Sequence, residues 1–195
     1  MTRTRATAGL VALAAAAVVL FVGVGVGGGQ SGHRHASGQF AWLHPAPPPA
    51  GWTVAHTVRG GTLAYPPGWK PIKTDPGTAS AALLGPGGRI EGYLNATPNQ
   101  GTQTLANWSR FRPAHNREEG DTNVRLVASA RDLKFRGGRG SCVIDTYTTS
   151  KASYREIACL VSGPRSPAVI VAAAPVELWN GQAATLRRAV SSFGT

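Results

Sequence analysis

After residue 50, apolar and polar residues alternate with period two through most of the chain and with helical period in two stretches. Residues 52–58 and Thr62–Tyr65 read as short strands around the turn Arg59-Gly60-Gly61, the second stopped by Pro66-Pro67-Gly68. Trp69 follows that turn and is expected to pack inward. Ala79–Leu84 and residues 90–96 read as two strands joined by Gly85-Pro86-Gly87-Gly88, a hairpin signal. Leu105, Trp108 and Phe111 then recur every third residue. This predicts a short helix capped by Thr104, ended or kinked by Pro113, with another turn over 114–119 before Gly120. Residues 124–128, 133–135, 141–149 and 154–161 read as further strands. Residues 167–174 (PAVIVAAA) are continuously apolar, which suits a central strand buried on both faces. Pro175 stands where a first helical position is expected, with Glu177 in the same turn. Trp179, Ala183, Leu186, Val190 and Phe193 recur at three or four residues, so a closing helix lies on the sheet and ends at Gly194.

Short turns between consecutive strands imply antiparallel pairing. The expected class is α+β: a mainly antiparallel sheet, a mid-chain helix and a C-terminal helix packed on it, preceded by an N-terminal transmembrane helix.

That last element comes from residues 6–26, which carry no charge and follow Arg3 and Arg5, with no further charge until Arg34. As a helix the segment would span about 31 Å, close to a hydrocarbon core. The arginine asymmetry places the N-terminus in the cytoplasm and the domain outside. The apolar run is longer than that of a cleaved signal, and no Ala-x-Ala follows it. An anchor is therefore expected at 1–26, with secretion after cleavage among the glycines as the alternative. Residues 27–50, glycine-rich and then proline-rich, read as linker, and 51–195 as one extracytoplasmic domain.

The two cysteines permit a geometric inference. In a hairpin turning at Ser150-Lys151, Cys142 falls opposite Cys159, Ile144 opposite Ile157 and Tyr147 opposite Tyr154. Alternation of pair types makes the cysteines a non-hydrogen-bonded pair, with Cα atoms about 4.5 Å apart and within disulfide reach. An oxidising compartment would preserve the bond. The same register sets Asp145 against Glu156. Like charges there are unfavourable unless a cation or the neighbouring Arg155 relieves them.

The chain has 20 Lys and Arg against 9 Asp and Glu, a net charge of +11. All nine acids, and all basic residues but Arg3, Arg5 and Arg34, lie beyond residue 50. A basic domain outside the membrane is suited to anionic lipid headgroups or wall polymers. The densest basic group is Lys134, Arg136 and Arg139 around a Gly137-Gly138 turn, a candidate anion-binding site, although charge on a solvated loop is the default reading of such a group. Export argues against nucleic acid as a partner, and no zinc, helix-turn-helix or RNA-recognition signature is present.

No nucleophile elbow, zinc-binding helix or phosphate-binding glycine loop occurs. His33, His35 and His44 lie in the linker, far from any carboxylate; His56 falls in a strand and His115 after the proline break. No catalytic, cofactor or metal residue is assigned. Trp52, Trp69, Trp108 and Trp179 are explained by core packing.

Three stretches carry a family resemblance: Leu63-Ala64-Tyr65-Pro66-Pro67-Gly68-Trp69, the mid-chain Leu105-Ala106-Asn107-Trp108, and the closing helix running into Ser191-Ser192-Phe193. Their order over residues 52–195 resembles the PsbP-like superfamily. That group includes the extrinsic photosystem II subunit, a eukaryotic Ran-binding nuclear-import factor and exported actinobacterial proteins. The resemblance implies an α+β fold and a binding or assembly role; without cyanobacterial or plastid targeting features, no photosystem role is carried over. The expected function is a membrane-anchored binding or assembly module of the cell envelope, with envelope proteins or an anionic wall or lipid surface as partners. The rivals are an envelope hydrolase with an unrecognised site and a basic membrane-surface stabiliser. A cleft where His115 converges with acids and a hydroxyl would favour the enzyme, and an apolar cleft would favour binding.

Overall fold

The computed structural model describes residues 38–99 and 101–195. The expected anchor at 6–26, and the part of the linker holding His33 and His35, lie outside them. Among the described residues no helix is long and apolar enough to cross a membrane.

The described residues form nine strands and two α-helices of more than one turn, of which β3 was not expected from the sequence: β1 Thr53–His56, β2 Thr62–Tyr65, β3 Lys70–Pro71, β4 Ala79–Leu84, β5 Ile90–Pro98, α1 Trp108–Glu118, β6 Thr122–Phe135, β7 Gly138–Thr148, β8 Ser153–Ser162, β9 Ala168–Pro175 and α2 Trp179–Ser192. β1 and β2 form a small hairpin sheet, and the other seven strands form one sheet in the order β3-β4-β5-β9-β8-β7-β6. Every strand pair is antiparallel. β9 is central and buried throughout, as its unbroken apolar run requires.

Side-chain alternation divides the core between the two faces. Ile144, Ile157, Cys159, Ile170 and Ala172 point toward α2, where Trp179, Leu186, Ala189, Val190 and Phe193 meet them. Val143, Ala158, Leu160, Val169 and Val171 point the other way and pack under Trp108 of α1. The β2 end closes the α2 side through Leu63, Tyr65 and Trp69. Trp69 lies so close to β5 that a Cβ on Gly92 would come within 2.7 Å of its ring.

Several boundaries differ from the sequence reading. Phe40 and Leu43, within the stretch read as linker, are buried in the main core. The packed chain therefore begins before residue 51, because Phe40-Ala41-Trp42-Leu43 is a short apolar run whose Phe40 and Leu43 are buried and whose Trp42 packs against the same core. Thr104 makes the reciprocal contacts of a cap, its hydroxyl accepting from the Asn107 N–H (3.2 Å) and its own N–H donating to Asn107 Oδ1 (2.7 Å), but they head a turn over 105–107, and α1 itself begins only at Trp108. Pro113 lies inside α1 rather than ending it, and the separate turn expected over 114–119 is the rest of that helix. The missing N–H costs one helical bond, but burial of Trp108, Pro113 and Asn116 holds the helix through it. Residues 124–128 and 133–135 belong to one edge strand, β6. Its register shifts at three places, and Asn123 and Asp132 adopt positive φ. Bulges of this kind twist an exposed edge away from further pairing. Pro175 closes β9, and a single 3₁₀ turn, Val176–Leu178, precedes α2.

The β7–β8 hairpin has the expected register, including Cys142 opposite Cys159, Ile144 opposite Ile157 and Tyr147 opposite Tyr154. The cysteines are bonded, with Cα atoms 4.1 Å apart and a sequence separation of 17. Replacing both by Ala is expected to lower stability by about 2–4 kcal/mol while leaving the fold intact. Chemical denaturation and circular dichroism measure both effects. Protein purified and unfolded without reductant should show no free thiol; two titratable thiols would refute the bond.

Candidate functional site

The two helices cover the sheet unequally. A helix with its side chains is about 10 Å wide and spans only two or three strands, which lie about 4.8 Å apart. α1 has 11 residues and packs over β6 and β7, with Trp108 reaching across β8 and β9. Trp108 is pinned there by an indole N–H bond to the Ala158 carbonyl, 2.9 Å. α1 does not reach the same face of β5, where Tyr93, Asn95 and Thr97 are only half-buried. The result is a cleft of about 740 Å³ between α1 and the sheet.

Its strand wall carries Tyr93, Asn95 and Thr97 of β5, residues of one alternation. Asn95 is positioned by a network from the preceding loop and β4. Its Nδ2 donates to Ser80 Oγ (2.7 Å), Ser80 shares a hydrogen bond with Thr74 (2.6 Å), and Thr74 shares another with Thr78 (2.6 Å). The helix wall carries Phe111, Arg112, His115 and Asn116. Phe111 stacks between Trp108 and His115 at centroid distances of 5.9 and 5.7 Å. Tyr147 completes the floor, stacked on Tyr154 across the hairpin at 5.8 Å.

A buried ionic group lies beneath the cleft. Asp145 and Glu156 are cross-strand partners, as the hairpin register required, and both are fully buried. Arg155 does not relieve them. Among the described residues no group of three or more His, Cys, Asp or Glu is arranged to hold a metal. Arg155 points to the opposite face, its guanidinium 5.1 Å above the Trp179 ring. The relief comes from α1. Arg112 grips Glu156 with two parallel hydrogen bonds, Nε to Oε1 at 2.7 Å and Nη2 to Oε2 at 2.8 Å. Burial disfavours the charge on Arg112, but the Glu156 carboxylate outweighs burial and raises its pKa. Asn116, one turn further along α1, donates to Asp145 Oδ2 at 3.5 Å.

Among the described residues Asp145 forms no ion pair, and its Oδ1 accepts no hydrogen bond. Burial first, and then the negative Glu156, push its carboxyl up to about 8. It therefore holds its proton at neutral pH, the usual response of a carboxyl in a dry site beside a like charge. Burial, followed by the Glu156 charge, also raises the Tyr147 hydroxyl above its ordinary value. Asp121 at the mouth is raised by burial first and then by Glu119 and Glu156.

The histidines and basic residues separate. His115 reaches the cleft and pairs with Glu119 at 3.1 Å on the exposed rim. His44 and His56 are exposed and distant from it in the fold. Lys134 and Arg139 face one another across the β6–β7 hairpin. Arg139 donates to the Asp132 carbonyl (3.3 Å), while Arg136 turns to the C-terminal segment and donates to the Ser192 carbonyl (3.2 Å). That group is not part of the cleft. Arg112 and Asn116 escaped the sequence reading, though a signal was present: they follow Trp108 at successive steps of four and extend its inward stripe with polar side chains.

An antiparallel sheet with a short helix on one face and a C-terminal helix on the other is the architecture of the PsbP-like fold. Cyanobacterial PsbP (CyanoP) from Synechocystis matches it with a TM-score of 0.55 at 15% identity, over 75% of this chain and 94% of that one. Weaker likenesses extend to PA94, a Pseudomonas aeruginosa protein of unknown function (TM-score 0.43, 9% identity, 74% of this chain and 96% of that one). They extend also to LpqN, involved in cell envelope biogenesis of Mycobacterium tuberculosis (0.40, 12%, 74% and 91%). At these identities the likeness is one of fold alone. No protein-family model matches the sequence, and no curated protein matches it by sequence.

Proposed function

We propose that this chain is an extracytoplasmic binding module of the cell envelope, held by residues 6–26 and binding its ligand in the cleft between α1 and the sheet. The cleft is the observation that carries this reading. It is large enough for a small molecule or a peptide side chain, and aromatic and hydrogen-bonding groups line it together. Four of the chain's nine acids, Asp75, Glu119, Asp121 and Glu156, line it in an otherwise basic protein. Arg112 balances Glu156, and His115 balances Glu119 when protonated. The uncompensated charge is acidic and favours a neutral hydroxyl-bearing or a cationic ligand over an anion.

The convergence of His115 with acids and tyrosines supports the second reading, a hydrolase. Against it, Glu156 is committed to Arg112 and Asp145 is buried beneath the cleft, so neither is free to act as a base on a substrate. A photocrosslinking residue at position 115 is expected to yield one discrete adduct in cells, and one at Val127 on the far edge strand none. The same unselective proteins from both positions would defeat the binding reading. Turnover of ester substrates that His115→Ala abolishes would instead establish the enzyme.

For location, full-length protein should sediment with membranes, and protease added to spheroplasts should digest the domain. A soluble form beginning near residues 28–37 would replace the anchor by a cleaved signal. Protection of the domain in intact spheroplasts would reverse the orientation.

A further inference from the structure

We propose that the cleft takes an organic ammonium ion, with its cationic head at the acidic mouth and its carbon body against the aromatic wall. This rests on the cleft as the binding site and names the class of ligand it receives. Three observations select that class: charge, hydrogen-bonding balance and aromatic surface.

Carboxylates reach the cleft from both banks. Asp75 comes from the loop before β4, on the strand side, and Glu119 and Asp121 follow α1, on the helix side. Among the described residues Asp75 and Asp121 form no ion pair, and Glu119 has only His115. The helix-side acids are fixed by the backbone. The Glu119 N–H donates to the His115 carbonyl and the Asp121 N–H to the Asn116 carbonyl, each at 3.0 Å. Both therefore stand at the C-terminal end of α1, the negative end of its dipole.

Most side-chain donors lining the cleft are already engaged within the protein. Asn95 Nδ2 donates to Ser80, Asn116 Nδ2 to Asp145, the Trp108 indole N–H to the Ala158 carbonyl, and Arg112 Nε and Nη2 to Glu156. The Thr97 hydroxyl turns to the Pro98 carbonyl at 3.4 Å. The hydroxyls of Tyr93 and Tyr147 can serve either way, so the lining offers a ligand chiefly acceptors. A sugar-like hydroxyl accepts as well as donates, whereas an ammonium group only donates.

Tyr93, Phe111 and Tyr147 line the cleft half-buried. Phe111 lies nearly parallel to Trp108 and to His115, at interplanar angles of 17° and 22°. With centroids 5.9 and 5.7 Å apart these rings are offset, which leaves part of each face uncovered. Such faces attract cations. A chelated metal ion is not the cation that fits, because among the described residues no group of three or more His, Cys, Asp or Glu is arranged to hold one. A free amine and the lysine side chain of a partner share the required chemistry.

The test uses the full chain in uncharged detergent micelles, with calorimetry and NMR shifts as readouts. Three probes share an aromatic body and differ in the head: phenethylammonium, phenethyl alcohol and phenylacetate. Phenethylammonium is expected to saturate, to shift the resonances of Tyr93, Phe111 and Tyr147, and to bind at least tenfold tighter than the alcohol, with phenylacetate weaker still. Asp75→Asn with Asp121→Asn keeps shape and removes charge; it should weaken phenethylammonium at least fivefold and change the alcohol less than twofold. Asp132→Asn with Glu177→Gln removes the same charge from exposed sites outside the cleft and should change phenethylammonium less than twofold. Retained spectral dispersion shows that each variant is folded. A further arm titrates a glycine-flanked, end-blocked lysine peptide against its norleucine analogue. Tighter binding of the lysine peptide than of phenethylammonium assigns a partner's side chain, and the reverse assigns a free amine. Equal or tighter binding of the alcohol or of phenylacetate overturns the ammonium ligand. So do equal losses from the two double variants, and so does the absence of any saturable response. In each of these cases a discrete adduct from position 115 would still support the cleft as a binding site, so the two readings fail separately.

Discussion

Replacing Arg112 by Met is expected to destabilise the domain by about 3–5 kcal/mol, the range for breaking a buried ion pair from one side. Met keeps most of the apolar stem, so the loss reports the charge rather than packing. Glu156 is fully buried, and Arg112 supplies both bonds to its carboxylate, 2.7 and 2.8 Å. Without the guanidinium a negative charge would remain in a dry layer beside Asp145, and Glu156 would have to take up a proton or draw in water. The double variant Arg112→Met with Glu156→Leu should recover most of the loss, because removing both members of a buried pair is often near neutral. Urea unfolding of the wild type, the two single variants and the double variant gives the coupling directly. A loss below about 1 kcal/mol in Arg112→Met would mean that the pair behaves as an exposed one.

The legible and illegible parts of this site divide by sequence distance. The hairpin was readable because one turn, at Ser150-Lys151, sets the register of ten cross-strand pairs at once. A slip of one residue would have exchanged the faces of Ile144, Ile157 and both cysteines. That register also exposed the conflict between Asp145 and Glu156. Its resolution lies 44 residues away on α1, and a local reading had only Arg155 to offer. Alternation explains why Arg155 was wrong, since adjacent strand residues point to opposite faces. Pro113 misled for a related reason. Propensity argues for a break there, but the burial of Trp108 and Asn116 on either side outweighs it. Phe40 and Leu43 lie in the apolar run Phe40-Ala41-Trp42-Leu43, but the glycine- and histidine-rich stretch before it and the prolines after it mark the whole of 27–50 as linker by composition. The cleft could not be read at all. It exists because α1 is too short to cover seven strands, and coverage is a property of the assembled sheet.

Stability is expected to fall as pH rises from about 4 to about 8, and the substitution Asp145→Asn should remove much of that fall. Burial, and then the Glu156 charge, raise the Asp145 carboxyl from its ordinary value to about 8. Between those two values the native protein holds a proton that the unfolded chain has released. The native state therefore binds more protons across this window, and each rise in pH favours unfolding. One group contributes at most about 1.4 kcal/mol per pH unit. Below pH 4 both states are protonated and the contribution vanishes; above pH 8 both have released the proton and the loss levels off. Asn has the same shape, stays neutral at every pH and can still accept from Asn116 Nδ2, which now bonds Asp145 Oδ2 at 3.5 Å. Asp145→Asn should match the wild type near pH 4 and exceed it by several kcal/mol at pH 9, on the order of magnitude set by that slope. Urea midpoints taken at unit steps of pH measure both curves. Parallel curves for the two proteins would mean that Asp145 is ionised in the native state at neutral pH, and a wild type that gains stability across the window while Asp145→Asn does not would mean that its carboxylate is paired there. In either case the proton would have to be removed from this account of the site.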